Sequence, residues 1–505
     1  MLSAAHKRDL IIFIVAAAMV SLYVVASGGG FPLDDSWIHQ TFARNLATRG
    51  EWSFIPGEPT AASTSPLYTV LLAIGYVFSV PYALWTHVLG VLALAGIGWV
   101  GARLALLMTP RQYNKALFCG LALVATWHLI WASAAGMETA LFALLTFWLV
   151  YRTLLELEMR SYTWRRALIF GVSAGLAVLA RPEGTLAVGL CGVSLLVAYP
   201  SHWRKVIVFG VVAAFAFLVV MLPYLILNLQ LTGGLLPNTA AAKFEQHAFL
   251  LAQPLTTRLG QLFLAILAGG QFLLLGGIVA YVTGIYRQRK RAIWLLPLVW
   301  AFLLVLLYAL RLPATYQHGR YVIPALPCIV WCGVMGVAWW LENGRFRLWS
   351  RVSSRVLGIA SALSIGFFAF TLGLQAYQTD VAVINEEMVA SALWIRDNVP
   401  SDELLAIHDI GAVGYFSGRD DMLDIAGLID PEVVPLLENP QALWALMQQR
   451  NARYLMAFPD QLPTGDVNDP RLCVLHTTNA PTAKQQGAEN MAIYRLEWDE
   501  DCYNG

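Results

Sequence analysis

Charge is what this sequence has least of. Asp, Glu, Lys and Arg make up 13% of its 505 residues, against 58% in the hydrophobic class, where soluble chains carry roughly a quarter charged. Too few polar groups remain to cover a water-facing surface, which excludes an ordinary soluble protein and leaves the bilayer as solvent. The formal net charge is +1, so the concentrated basic footprint of a nucleic-acid binder is missing. The six cysteines form no metal-binding pattern. Cys328 and Cys332, one helical turn apart in an apolar run, read as packing residues; Cys473 and Cys502, alone in the C-terminal tail, can pair if that tail lies in an oxidising compartment. No Asn-x-Ser/Thr site occurs, which favours a bacterial source.

What is present is a series of apolar runs that carry no charge, or a single arginine (Arg103 and Arg152). Leu10–Ser27, Pro66–Leu107, Leu117–Ala135, Thr139–Leu155, Val206–Thr232, Leu259–Tyr286, Ile293–Leu310, Tyr321–Leu341 and Val356–Gln375 are long enough to cross a bilayer. Ala167–Ala180 and Gly184–Tyr199 are shorter and flank the polar Arg181-Pro182-Glu183. Pro66–Leu107 reads as one crossing with a re-entrant piece or as more than one, and the expected total is about 11 to 13 crossings of roughly 30 Å of hydrocarbon. Lys and Arg collect on cytoplasmic loops. Placing Lys7-Arg8, Arg160–Arg166, Arg204-Lys205, Arg287–Arg291 and Arg345–Arg355 there puts the N-terminus in the cytoplasm. It also puts segments 28–65, 136–138, 233–258, 313–320 and the tail on the other face. Lys7-Arg8 and the Val-Val-Ala-Ser after the first run also suit a cleaved signal peptide; the reading taken here keeps that segment as a membrane helix.

The expected architecture is therefore a polytopic α-helical membrane domain, residues 1–377, followed by a soluble α/β domain, 378–505, on the non-cytoplasmic face. In the tail, Glu387–Asn398 and Pro440–Asn451 read as helices, and Glu403–His408, Tyr454–Phe458 and Met491–Trp498 as strands. Gly411–Gly418 reads as a turn-rich connection. Helix and strand patterns alternate, which points to α/β rather than pure β.

The first external loop, 28–65, opens with Asp34-Asp35 at the head of a short amphipathic helix. Trp37, Ile38, Phe42 and Leu46 share one face, with Gln40 and Arg44 off it, the pattern of a helix lying in the membrane interface. Carboxylates suit a helix N-terminus, so the bland reading of the pair is a cap and a solvated neighbour. The sharper one is a base with a supporting carboxylate, or a divalent-cation site. Glu138 reads as a helix-start carboxylate or a functional one. Arg181 and Glu183 lie where charges pair with each other or face a polar cavity, and the cavity is the reading favoured. Lys243 follows Pro237-Asn238-Thr239 in an external loop. His318-Gly319-Arg320-Tyr321 opens a membrane helix, with Arg320 able to fork onto a phosphate or simply to snorkel. His408-Asp409 reads as a strand-end turn. Carboxylates and cations on one face, beside lipid, fit a substrate with a lipid tail, a phosphate and a polar head group. Its transfer needs a base for the acceptor hydroxyl and cations for the leaving phosphate.

At these residues the sequence resembles a known group. The run Asp34-Asp35…Ala43-Arg44-Asn45-Leu46…Gly57-Glu58…Thr64-Ser65-Pro66-Leu67 is similar to the first external loop of GT-C glycosyltransferases, polytopic enzymes that use polyprenyl-phosphate sugars. It looks most like the mycobacterial terminal β-(1→2)-arabinofuranosyltransferase type, and more distantly like protein O-mannosyltransferases and the lipid A aminoarabinose transferase. Gly136-Met137-Glu138-Thr139, Leu179-Ala180-Arg181-Pro182-Glu183-Gly184, Pro237-Asn238-Thr239 with Lys243, Gly319-Arg320-Tyr321 and Asp409-Ile410-Gly411-Ala412 agree in order and spacing. The resemblance implies an inverting transfer from a lipid phosphosugar to a glycan, lipid or protein acceptor on the non-cytoplasmic face of the cell inner membrane. It implies Asp34 as base and Asp35 orienting it, or the reverse. Arg320, Arg181 and Lys243 are expected at the lipid phosphate, with Glu138 and Glu183 on sugar hydroxyls or on those cations. Arg44, Asn238, His318 and Tyr321 complete the expected binding set. Some members use a divalent cation, Mg or Mn, for which Asp34 and Asp35 would be the ligands. Ala61-Ala62-Ser63 departs from the arabinosyl type, where a Gly and an aromatic are expected, and this leaves the sugar open. The competing class is a transporter or flippase of lipid-linked sugars, which would line a path through the bilayer with discontinuous helices. A structural or assembly protein is a third class, and it leaves Arg181 and Glu183 unexplained.

Overall fold

The structure is a computed structural model that describes residues 4–198, 203–234, 248–288, 290–344, 348–498 and 502. Among these, seven helices are long and apolar enough to cross a membrane: Ala4–Ala26, Tyr82–Met108, Thr139–Met159, Trp203–Leu231, Ala292–Arg311, Tyr316–Asn343 and Leu348–Asn398. Two further apolar pairs are bent, Tyr113–Val124 with Trp127–Ala134 by 57° and Leu255–Leu267 with Gly270–Arg287 by 109°. The shorter apolar helices Pro66–Val77 and Gly184–Ala198 complete the set. The long Pro66–Leu107 run is thus two helices, Pro66–Val77 and Tyr82–Met108, parted at Ser79 by a positive φ of 54°.

Two compact units emerge, each discontinuous in sequence. The first comprises Met1–Ala26, Thr86–Tyr224 and Leu250–Ala376. It is a helical bundle in which side chains without polar handles meet at close range. Where Leu274–Arg287 crosses Leu326–Asn343, a Cβ on Gly336 would lie 1.7 Å from the Gly277 carbonyl, so only hydrogen fits. Small residues at such crossings let backbones approach within a membrane. Both bends are tied internally. The indole of Trp127 donates to Ala268 O (3.2 Å), His128 Nε2 lies 3.0 Å from Ala265 O, and Gln271 Nε2 lies 2.8 Å from His128 Nδ1. Carbonyls released by the break thereby find partners, as apolar surroundings demand.

The second unit joins Ser27–Trp85 and Leu225–Phe249 to Tyr377–Gly505. Segment 28–65, the expected first external loop, therefore folds with the tail. The tail's sheet has five strands, β1 Leu405–Ile407, β2 Met422–Asp424, β3 Tyr454–Ala457, β4 Leu472–Thr477 and β5 Ala492–Leu496, in the order β2-β1-β3-β5-β4. β1 runs parallel to β2 and β3, while β5 is antiparallel to β3 and β4. A disulfide joins Cys473 and Cys502. Helix and strand alternate as the sequence suggests, with one correction: Ile410–Phe416, expected as a connection, is a helix.

The loop helix Asp35–Arg49 is also not the one-faced interfacial helix its pattern describes. Ser36, Trp37, His39, Gln40, Thr41, Phe42, Ala43 and Asn45 are all buried. Trp37 packs between Phe31 (ring centroids 4.9 Å), Tyr415 (5.1 Å) and Phe416 (4.6 Å). Gln40, read as off the buried face, is fully buried and accepts the Tyr76 hydroxyl at 2.8 Å. Tyr76 also reaches the Tyr415 hydroxyl at 3.0 Å. A polar side chain tolerates that burial because its hydrogen bond is made.

Candidate functional site

Asp34 precedes the loop helix. Its two carboxylate oxygens accept backbone N–H groups from Gly411 (2.7 Å) and Ala412 (2.8 Å), at the start of helix Ile410–Phe416. A Cβ on residue 411 would lie 2.1 Å from the Asp34 carbonyl, so glycine is what lets the two segments meet. Amide donors favour the ionised form, yet burial outweighs them. Together with the charges of Asp409 and, less, Asp35, burial raises the Asp34 pKa to about 7. Asp35 is half-buried and lines a small cavity with Ile38, His39, Ala62, Thr64, Leu428 and Ile429. His39 lies 3.4 Å from the Thr69 hydroxyl, itself 2.9 Å from that of Ser63. Asn45 holds the loop that follows, donating to Ser53 O (3.1 Å) and Phe54 O (2.9 Å).

Arg44, expected in the substrate- and phosphate-binding set, is engaged with the backbone. Its guanidinium donates to Tyr415 O (2.9 Å) and Gly414 O (3.2 Å) at the C-terminal end of helix Ile410–Phe416, and lies 4.8 Å over the Tyr415 ring. A cation there complements the carbonyl end of the helix. Asp34 and Arg44 thus grip opposite ends of one short helix.

Asp409, next in line, takes the Gln461 amide at 2.7 Å and lies 3.5 Å from His408 Nδ1. Burial alone would lower His408, but the Asp409 carboxylate lifts it above the ordinary histidine range. Below these, Asp424 at the end of β2 accepts N–H groups from Ala426 (2.9 Å), Leu428 and Ile429 (2.8 Å). Burial still pushes its carboxyl up to about 6. Its own N–H goes to Asp430 at 2.7 Å.

The first unit holds a second cluster. Arg181 caps helix Trp164–Ala180 and donates to Glu138 (3.1 Å), to the Tyr308 hydroxyl (2.9 Å) and, more loosely, to Glu183 (3.4 Å). Tyr308 in turn hydrogen-bonds Glu183. The favoured reading of Arg181 and Glu183 as charges on an open cavity gives way to direct pairing, because a buried guanidinium gathers every carboxylate within reach. The Tyr321 ring carries Arg181 on one contact (5.2 Å) and Arg320 on another (4.9 Å), and its hydroxyl accepts from Arg320 at 3.0 Å. Tyr308 packs on Tyr321 at 5.3 Å. Glu138, Arg181, Glu183, Arg320 and Tyr321 lie in one cluster, and Tyr308, unmarked in an apolar run, joins them.

His318 sits on a left-handed turn, with φ of 53° at Gln317, 58° at His318 and 68° at Gly319. Its ring meets Trp127 at 5.2 Å and Trp131 at 5.3 Å. Asn238 and Lys243 lie outside the described residues.

Among the described residues no group of three or more His, Cys, Asp or Glu side chains converges as a metal set. Asp34 spends an oxygen on each of two amides. Asp34 and Asp35 are two adjacent carboxylates, and among the described residues no further His, Cys, Asp or Glu completes a metal set around them.

Residues 373–498 match a family described as a domain of unknown function, DUF8728. No curated protein matches the sequence. Among solved structures the chain is similar to ArnT from Cupriavidus metallidurans bound to undecaprenyl phosphate, at 13% identity and TM-score 0.63, over 97% of this chain and 98% of that one. It is similar to the Archaeoglobus fulgidus oligosaccharyltransferase tethered to an acceptor peptide, at 12% identity and TM-score 0.61, over 97% and 74%. The arabinofuranosyltransferase AftD from Mycobacteria matches at 14% identity and TM-score 0.52, this chain spanning 42% of its length. The chain has the fold of the GT-C membrane glycosyltransferases. Its second unit joins segment 28–65 to the small α/β tail.

Proposed function

We propose that this protein is an inverting glycosyltransferase that moves a sugar from a polyprenyl-phosphate donor to a cell-envelope glycan, lipid or protein acceptor on the non-cytoplasmic face of the inner membrane. The observation that carries the reading is Asp34: a carboxylate fixed by two amides beside Asp35, with a pKa near neutrality. A general base works best when its pKa lies close to the working pH. Asp34 takes the acceptor hydroxyl proton, the acceptor oxygen attacks the anomeric carbon, and the bond from that carbon to the phosphate oxygen breaks. The lipid phosphate leaves with the electron pair. Asp35, on its cavity wall, contacts the sugar or orients the acceptor. Arg320 and Arg181, with Lys243, are the candidate cations for the leaving phosphate, and Glu138, Glu183 and Tyr308 fix the guanidinium of Arg181. The solved ArnT carries undecaprenyl phosphate and an A. fulgidus oligosaccharyltransferase carries dolichol-phosphate, which supports a donor of this chemistry here.

Purified Asp34→Asn, Asp35→Asn and Arg320→Ala test the assignment. Each is expected to lose at least 100-fold in transfer while eluting as folded protein, since a positioned base contributes on the order of 10²–10⁴. Full activity in both Asp variants would remove the base. A second reading, a flippase of lipid-linked sugars, draws on the two bent helix pairs, because transporters place broken helices at their sites. It predicts lipid movement with the sugar–phosphate bond intact.

A further inference from the structure

A larger cavity than the one Asp35 lines, also in the second unit, has no part in the chemistry above. It measures about 200 Å³, and its lining includes Phe54, Glu58, Thr60, Ala61, Leu428, Ile429 and Asp430. Ala62, Leu428 and Ile429 are also walls of the small cavity that Asp35 lines. The two spaces are therefore neighbours that share three lining residues.

Both sides of the larger cavity are built rather than loose. On one, Glu51 accepts Gly57 N at 2.9 Å, Thr60 N donates to Trp52 O at 3.2 Å, and Ser53 pairs with Pro59 in an isolated bridge. This fixes the turn that presents Glu58. On the other, the Asp424 carboxylate pins the amides of Leu428 and Ile429, and Asp430 is tied back to Asp424 N at 2.7 Å. Asp430 stands above the usual carboxylate range, chiefly through burial, with the charges of Glu432 and Glu58 adding to it.

We propose that this cavity is an acceptor subsite that takes one neutral sugar ring of a glycan, with Glu58, Asp430 and Thr60 on its hydroxyls and Phe54, Leu428 and Ile429 on its C–H face. The inference rests on the transferase reading for its role, and on the cavity alone for its ligand. Carboxylates accept hydrogen bonds from hydroxyls without competing donors of their own. The volume lies below the roughly 300–1,000 Å³ of drug-sized sites, in keeping with a single ring. A ring seated here places the next unit of its chain at the shared residues Ala62, Leu428 and Ile429, towards Asp35.

The test is direct binding, without donor, of an array of defined neutral oligosaccharides ending in pyranose or furanose sugars, to the full-length protein in nanodiscs. Wild type is expected to bind at least one of them. Glu58→Gln with Asp430→Asn, and separately Ala61→Phe, which fills the space, are expected to weaken that binding at least tenfold. Glu58→Gln alone, on an exposed turn, carries the comparison if Ala61→Phe does not fold. No neutral oligosaccharide bound by folded wild type, or equal binding by all variants, overturns the proposal. So does binding confined to amine-bearing glycans, which would make the two carboxylates a cation site. Release of labelled sugar from polyprenyl-phosphate donors is measured in parallel. If release fails while glycan binding and its loss in the variants hold, the transferase reading falls and the sugar site stands.

Discussion

Asp409→Asn should make the protein more active in acid. The charge of Asp409 is, after burial, the largest influence raising the Asp34 pKa to about 7. At pH 6 a carboxyl of that pKa is roughly one-tenth ionised, so the base is mostly unavailable. Removing the Asp409 charge lowers the Asp34 pKa and moves the acid limb of kcat/KM to lower pH. The gain at pH 6 is bounded at about tenfold, the ratio of full to one-tenth ionisation, and vanishes by about pH 8.5. Asn at 409 can still accept from Gln461 (2.7 Å in wild type), so the strand end keeps its tie. His408 also faces Asp409, 3.5 Å away, and His408→Gln serves as the control that leaves the carboxylate in place. The assay is kcat/KM from pH 5 to 9, on a phosphodiester donor that has no group titrating there. A limb that stays put or moves to higher pH would refute Asp34 as the limiting base. The same shift has a stability sign. A carboxyl raised on folding stabilises the fold fully below its unfolded value of 3.8, and loses that contribution as pH rises through about 7. The thermal midpoint of wild type relative to Asp34→Asn should therefore fall between pH 5 and pH 8.

Three further outcomes follow from the geometry. Arg181→Ala strands Glu138 and Glu183 without their cation, and should cost about 3–5 kcal/mol, the range for breaking a buried pair, read as a lower thermal midpoint with poor recovery. Gly411→Ala drives a methyl into the Asp34 carbonyl 2.1 Å away, and should abolish transfer at a dose of destabilisation that Gly414→Ala, which meets only the Phe54 ring at 2.2 Å, does not match in activity loss. Reduction of Cys473–Cys502, or Cys502→Ser, opens a 29-residue separation and should lower stability by about 2–4 kcal/mol, measured as a reductant-dependent midpoint with transfer retained below it.

Much of the bundle is legible in the sequence because apolar runs of bilayer length, nearly free of charge, leave little choice. The carboxylate and arginine positions are legible too, since charge inside such runs is costly and stands out. What lies beyond local pattern is partnership. Arg181 and Glu183 look alike whether they pair or face a cavity, and only Glu138, 43 positions away, decides for pairing. Tyr308 is invisible in Leu296–Arg311, where an aromatic is ordinary. Gln40 reads as a solvated residue of an amphipathic helix until Tyr76 supplies its bond. Helix Ile410–Phe416 carries two glycines and looks like a turn. It forms because Asp34 caps one end and Arg44 the other, both from a segment some 370 residues earlier. β2 is three residues long and β4 is bulged between Val474 and His476, so neither shows a clean alternation.

A transferase of this kind must break a sugar–phosphate bond. The measurement that tests it most directly follows label from a panel of radiolabelled polyprenyl-phosphate sugars incubated with wild-type protein in nanodiscs and a cell-envelope acceptor fraction. The account predicts that label leaves at least one donor for the acceptor with inverted anomeric configuration, and stays on the lipid with Asp34→Asn. Label that remains on intact lipid with wild type, bound or moved between leaflets but never released, would contradict it.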